Sequence, residues 1–152
     1  MAIPQFGQPE PGRTYGDRPA AFGIAERDGK IAAVRVKKPD HAAWLDLPGG
    51  ALDPGEGPEE AVVREFAEET GLKVAVGEAY ARADQFFVNT SDKAFNNRAT
   101  FLVLDITGED AELKVEDDHT LVWLPPHEAI ETLRHEAHAW AVAAWLRLLR
   151  KR

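Results

Sequence analysis

The chain contains no cysteine. That absence excludes disulfides, thiolate zinc sites and cysteine nucleophiles outright. Positive charge is also scarce: 18 lysines and arginines stand against 26 aspartates and glutamates, for a net charge of −8 at neutral pH. Long nucleic acid is held by neutralising its phosphates, which takes a basic stripe that this composition does not supply. No apolar run approaches the roughly 18–20 residues of a membrane-spanning helix. The first residues lack the basic-then-apolar order of a secretory signal. These absences point to a cytoplasmic protein with neither a membrane nor long nucleic acid as partner. An acidic protein of this kind must handle phosphates through a local cation.

The 152 residues are 44% apolar and 29% charged, which suits one globular domain with a real core. Residues 1–13, with Pro4, Pro9 and Pro11, read as a flexible arm, leaving residues 14–152 as the single domain. Residues 20–26 and 30–37 are apolar-rich runs separated by Arg27-Asp28-Gly29, and Asp-Gly at that place signals a tight hairpin. Residues 72–88 read as extended, residues 89–97 as a polar connection, and residues 99–106 and 120–124 as strands. From His127 onward the apolar period lengthens, and Ala137, Trp140, Ala141, Ala144, Trp145 and Leu148 mark one face of a C-terminal helix. The fold class is α+β.

The chemistry concentrates between the two. Pro58 opens a run without glycine or proline that ends at Gly71, so residues 58–70 form a helix punctuated at both ends. Glu65, Glu68 and Glu69 share one face at i, i+3 and i+4, while Val62, Val63, Phe66 and Ala67 take the other. Like charges at that spacing repel, and no lysine alternates with them. A hard divalent cation would turn the repulsion into attraction. The preceding Gly49, Gly50, Gly55 and Gly57 let backbone approach a ligand.

Residues 50–72 resemble the Nudix box, G-x5-E-x7-R-E-U-x-E-E-x-G-U, in which U is an apolar residue. Gly50, Glu56, Arg64, Glu65, Glu68, Glu69 and Gly71 fill its fixed positions, and Phe66 and Leu72 its apolar ones. The lead-in Trp44-Leu45-Asp46-Leu47-Pro48-Gly49 is also similar to that of the family. The resemblance implies a mixed β-sheet sandwiched between helices, an α/β/α arrangement with a C-terminal helix. It implies hydrolysis of a nucleoside diphosphate linked to another moiety, with Mg²⁺ as cofactor and Mn²⁺ as a substitute. Glu68 and Glu69 would then be the principal metal ligands, Glu65 a ligand or the group orienting the attacking water, and Gly49 a carbonyl donor. Gly50, Glu56, Arg64 and Gly71 would support the site.

Many Nudix enzymes carry a further carboxylate late in the chain, for which Glu116 and Asp118 are the candidates here. Arg82, Phe86, Phe87 and Arg98 are candidates for substrate contact, with Arg18 and Arg35 as further phosphate donors and Trp44 as a cover. His135 and His138 read as helix residues without a metal role. The expected partner is a small nucleoside diphosphate derivative, and the protein is a monomer or a homodimer. A non-catalytic Nudix-fold sensing module is the alternative, although such modules usually lose the box carboxylates. An isoprenoid diphosphate isomerase would need a cysteine.

Overall fold

In the computed structural model, which describes residues 2–151, eight strands form one curled mixed sheet with helices on both faces. Strands β1 (Gln5–Phe6), β2 (Gly16–Arg27) and β3 (Lys30–Val36) are followed by β4 (Trp44–Asp46) and β5 (Gly49–Ala51). Then come helix α1 (Pro58–Thr70), the long strands β6 (Leu72–Val88) and β7 (Ala94–Glu109), and β8 (His119–Leu124). Helices α2 (Pro126–Thr132) and α3 (Glu136–Arg150) complete the chain.

The β2–β3 turn holds Asp28 at φ 53° and Gly29 at φ 79°, the two positive values a type I′ turn demands. The two strands pair only beside that turn, at Glu26↔Ile31 and Arg27↔Lys30. Beyond it they part. Strand β2 runs parallel to β7 and takes β5 on its other edge, while β3 pairs with β4 and β8. The gap that opens between them is where the cleft described below lies.

Alternation along β2 sorts the core. Ala20, Phe22 and Ile24 face α2 and α3, in a cluster with Phe101, Leu133, Ala141 and Trp145. Ala21 and Ala25 face α1, in a cluster with Val62, Phe66, Leu72 and Leu102. This is the α/β/α sandwich expected of the resemblance, with the sheet buried on both sides.

Several local expectations change. The polar connection after β6 is shorter than residues 89–97: Asn89 caps a tight turn through its side chain, and β7 already begins at Ala94. Phe95 and Asn97 therefore lie within a strand, because their partners on β6 and β2 supply the ladder. The C-terminal helical stretch is two helices, broken around Leu133 and Arg134, where Arg134 N–H donates to Leu45 O at 2.8 Å. Val63, assigned to the core side of α1, is 38% exposed because it falls outside the stripe formed by Ala61, Val62 and Phe66. In the N-terminal stretch read as a flexible arm, Gln5 and Phe6 pair in parallel with Asp84 and Gln85, and the Phe6 ring lies 6.1 Å from that of Trp140.

Candidate active site

Helix α1 begins at Gly57, whose N–H donates to Glu60 Oε1 at 3.3 Å, and ends on Gly71 in the left-handed region at φ 77°. Its stripe of buried residues does not stop at Phe66. The next position on that stripe is Glu69, whose side chain is only 7% exposed. A carboxylate thus occupies a place that helix geometry would give to an apolar residue. Glu69 Oε1 accepts from Gly49 N–H at 3.1 Å, and Glu69 Oε2 lies 3.6 Å from His119 Nε2.

Glu65, one turn earlier, is 14% exposed and its carboxylate lies beside that of Glu69. Burial raises the pKa of Glu65, and burial together with the neighbouring Glu65 raises that of Glu69 well above the ordinary carboxylate range. The carboxylate of Glu65 rests against Gly50, where an added Cβ would come within 3.0 Å of Oε1. Gly49 is tighter still: at φ 145°, an added Cβ would lie 2.1 Å from Ala21 O.

Arg64 ties this region together. Its Nε and Nη2 donate to the two oxygens of Glu56, both at 2.8 Å, and Nη2 also reaches Ala51 O at 3.2 Å. Nη1 donates to Glu65 Oε1 at 3.0 Å and to Glu68 Oε2 at 3.1 Å. One guanidinium therefore joins the loop before the helix, strand β5 and the helix itself. Its hydrogen bonds hold the pKa of Glu56 down to about 2.

A cleft of about 320 Å³ opens beside these groups, between the diverging β2 and β3. Glu65, Glu69, Gly49 and Gly50 line one end, and Arg18, Phe87, Asn97 and His135 are also in its walls. Glu68 is absent from the lining, with a side chain 32% exposed and engaged by Arg64. The segment before β8 folds over the C-terminal turn of α1, with Val115 N–H and Glu116 N–H both donating to Glu68 O. This brings Glu116 into the cleft. Asp118 does not line it; Asp118 pairs with Lys38 and lies 2.7 Å from His119 Nδ1, and Lys38 holds its pKa down to about 2. Glu116, Asp118 and His119 nonetheless bring one ligand atom each within 4.8 Å of one another.

Of Arg82, Phe86, Phe87 and Arg98, Phe87 lines the cleft and the other three do not. Phe86 packs edge-on against Tyr15, Arg98 pairs with Asp84 and Asp17, and Arg82 borders a separate groove beside α3. Arg18 and Trp44 line the cleft as well. Unforeseen in the sequence are Lys38, Asp46, Asn97 and Arg134, all cleft residues. The Arg134 guanidinium stacks 4.3 Å above Trp44 and pairs with Asp46 at 2.9 Å. A signal did exist for Asn97, which lies two residues from Ala99 and so shares its inward face. His135 and His138 are buried, edge to face with ring centroids 5.2 Å apart, and burial drops both pKa values to about 3. His138 Nδ1 accepts from Leu47 N–H, so this pair is neutral support for the cleft wall.

A family model described as the NUDIX domain matches residues 16–146. The chain belongs to the Nudix family. It is a Nudix hydrolase, an enzyme acting on diphosphate bonds. The chain is 34% identical over 113 residues to the CTP pyrophosphohydrolase of Escherichia coli K12, covering 71% of this chain and 76% of that protein. It is 38% identical over 103 residues to the ADP-ribose pyrophosphatase of Methanocaldococcus jannaschii, covering 65% of this chain and 56% of that one. A solved Nudix hydrolase from Nitrosomonas europaea superposes with a TM-score of 0.74 at 18% identity, over 86% of this chain and 89% of that one. That likeness establishes the fold. The two named relatives differ in substrate, so the Nudix frame identifies the bond class and leaves the rest to the cleft. Among the described residues, no helix is long and apolar enough to cross a membrane.

Proposed function

We propose that this Nudix protein is a Mg²⁺-dependent pyrophosphohydrolase, with Mn²⁺ able to substitute, that cleaves a nucleoside diphosphate linked to another group. The substrate would be a nucleoside triphosphate, a nucleotide sugar or a related cytoplasmic small molecule. The observation that carries this reading is the Glu65–Glu69 pair, a buried carboxylate beside a half-buried one, both opening on a cleft. Burying such a pair is costly unless a proton or a cation neutralises it. An oxygen-only donor set beside glycine backbone suits a hard divalent ion. The site therefore fits the metal that the family implies.

Glu69 and Glu65 would hold the ion from inside the cleft, Glu68 from its rim, and Gly49 would add its carbonyl. A divalent ion there supplies charge neutralisation of the diphosphate and acidifies bound water. Glu65, whose environment raises its affinity for a proton, is suited to orient and deprotonate the attacking water. Arg64 keeps Glu65 and Glu68 in place, with Glu56, Gly50 and Gly71 holding the loop and the helix end. Glu116 is the better placed of the two late carboxylates, because Lys38 already engages Asp118.

The test is hydrolysis of a panel of nucleoside triphosphates, nucleotide sugars, ADP-ribose and dinucleoside polyphosphates with Mg²⁺. Glu65→Gln is expected to lower kcat by roughly 10²–10⁴. Glu69→Gln is expected to raise the Mg²⁺ concentration needed for half-maximal rate. Unchanged kinetics in both variants would remove the metal-site assignment. No turnover of any panel member would favour a sensing module instead.

A further inference from the structure

The inward-facing column of β2 reads Arg18, Ala20, Phe22, Ile24, and that of β7 reads Asn97, Ala99, Phe101. Both columns are apolar until they reach the cleft, where parallel register sets Arg18 directly beside Asn97. Asn97 is only 3% exposed, and Arg18 Nη1 donates to its Oδ1 at 2.8 Å. Arginine has donors only, so this bond fixes the amide: oxygen toward Arg18, NH₂ away from it.

Neither group is otherwise satisfied by protein. Among the described residues Arg18 makes no ion pair, and neither its Nε and Nη2 nor the Asn97 Nδ2 has a protein acceptor. None of these nitrogens is both fully buried and unpartnered, so they reach the open space of the cleft. Burial lowers the Arg18 pKa, with the nearby Glu65 carboxylate acting in the opposite direction. Phe87 borders the same end, its ring centroid 5.8 Å from the guanidinium carbon. The Glu65–Glu69 pair borders the same cleft.

An array of donors with no acceptor of its own, walled by an aromatic ring, is built for a flat group whose edge carries acceptors. A fork of two guanidinium nitrogens spans two neighbouring acceptors best. We infer that Arg18, with Asn97 beside it and Phe87 at its flank, is the specificity-determining group for the nucleobase. The site takes a base that presents two adjacent acceptors: O6 and N7 of guanine, or O2 and N3 of cytosine. Adenine sets its amino donor beside N1 and N7 and has no second acceptor beside N3, and uracil places an N–H between its carbonyls, so neither offers the fork two adjacent acceptors. This inference rests on the pyrophosphohydrolase reading above and deepens it to the substrate class.

The test is calorimetric binding of GMP, CMP, AMP, UMP and ribose 5-phosphate to the Mg²⁺-loaded protein, since none of these has a diphosphate bond to lose. GMP or CMP is expected to bind wild type at least roughly ten-fold more tightly than AMP and UMP, and the two arms separate the O6/N7 edge from the O2/N3 edge. Arg18→Met is expected to weaken the preferred nucleotide roughly ten- to a hundred-fold and to leave ribose 5-phosphate unchanged. Asn97→Leu is expected to shift it in the same direction by less. Arg18→Lys keeps the charge without the fork and serves if the methionine variant does not fold; it is expected to lose the base order too. An equal loss for ribose 5-phosphate would make Arg18 a phosphate contact and overturn the inference. So would wild type that binds all four nucleotides alike, or Arg18→Lys that keeps the full order. If nucleotides are hydrolysed without base preference, this inference fails and the pyrophosphohydrolase reading stands. If none is bound or hydrolysed, both fail.

Discussion

Gly49 and Gly50 are adjacent, yet the space around them differs in kind. At Gly49 an added Cβ would run into the backbone carbonyl of Ala21, and the φ of 145° belongs to a region that side chains avoid. Gly49→Ala is therefore expected to destabilise the fold by about 3 kcal/mol or more, visible in the urea unfolding midpoint. At Gly50 the obstacle is the end of a side chain, the Glu65 carboxylate. Gly50→Ala is expected to cost less than about 1 kcal/mol of stability and to lower kcat by about ten-fold or more, by pushing Glu65 aside. Equal loss of stability in both variants would sink this distinction.

For helix α1, the controlling element is one cation among carboxylates. Arg64 depresses the Glu56 pKa to about 2, whereas an unfolded glutamate titrates near ~4.3. The folded state thus holds this proton more weakly. The associated stability is fully present above the unfolded pKa and is lost as the pH falls toward about 2. Arg64→Met is expected to lower Tm by on the order of 5 °C at neutral pH. The gap to wild type is expected to shrink in acid, and a gap that stayed constant from pH 7 to pH 3 would show that the pairing contributes nothing. Most of this helix was legible beforehand. Its start at Pro58, its end at Gly71 and its anionic face follow from punctuation and spacing. What spacing could not show is that Glu69 lies on the buried stripe while Glu68, its neighbour, turns toward Arg64 at the rim.

Across the whole molecule, the two buried histidines are expected to make stability fall as the pH drops below neutral. His135 and His138 titrate near 3 in the folded state, against ~6.5 when unfolded. The unfolded chain binds more protons in that window, so stability rises with pH through it and is lost as the pH falls. Between pH 7 and pH 5 the loss is expected to approach about 2 kcal/mol per histidine as an upper bound. Denaturant titrations at the two pH values measure it, and His138→Asn, which preserves an acceptor for Leu47 N–H, should flatten the dependence. The N-terminal strand is the other global tie. Deleting residues 1–7 removes the β1–β6 pairing and uncovers Trp140. A Tm lower by about 3–8 °C is expected; an unaltered Tm would restore the view of this stretch as a loose arm.

The sequence by itself determined the domain class, the Asp-Gly hairpin, the bounds of the carboxylate helix and the Nudix pattern. All of these are written in short-range spacing: backbone conformation and helix or strand period act over a few residues. Only the tertiary structure decided which charges meet. Arg18 and Asn97 are 79 positions apart, and a parallel strand pairing joins them. Glu116 enters the cleft because two backbone hydrogen bonds to Glu68 O fold its segment over α1. Arg98 and Phe86, similar in type to Arg18 and Phe87, point elsewhere because neighbouring strand positions alternate faces. Residue type announced a cation-binding helix; strand register and the parting of β2 from β3 gave it a cleft and placed the groups that face it.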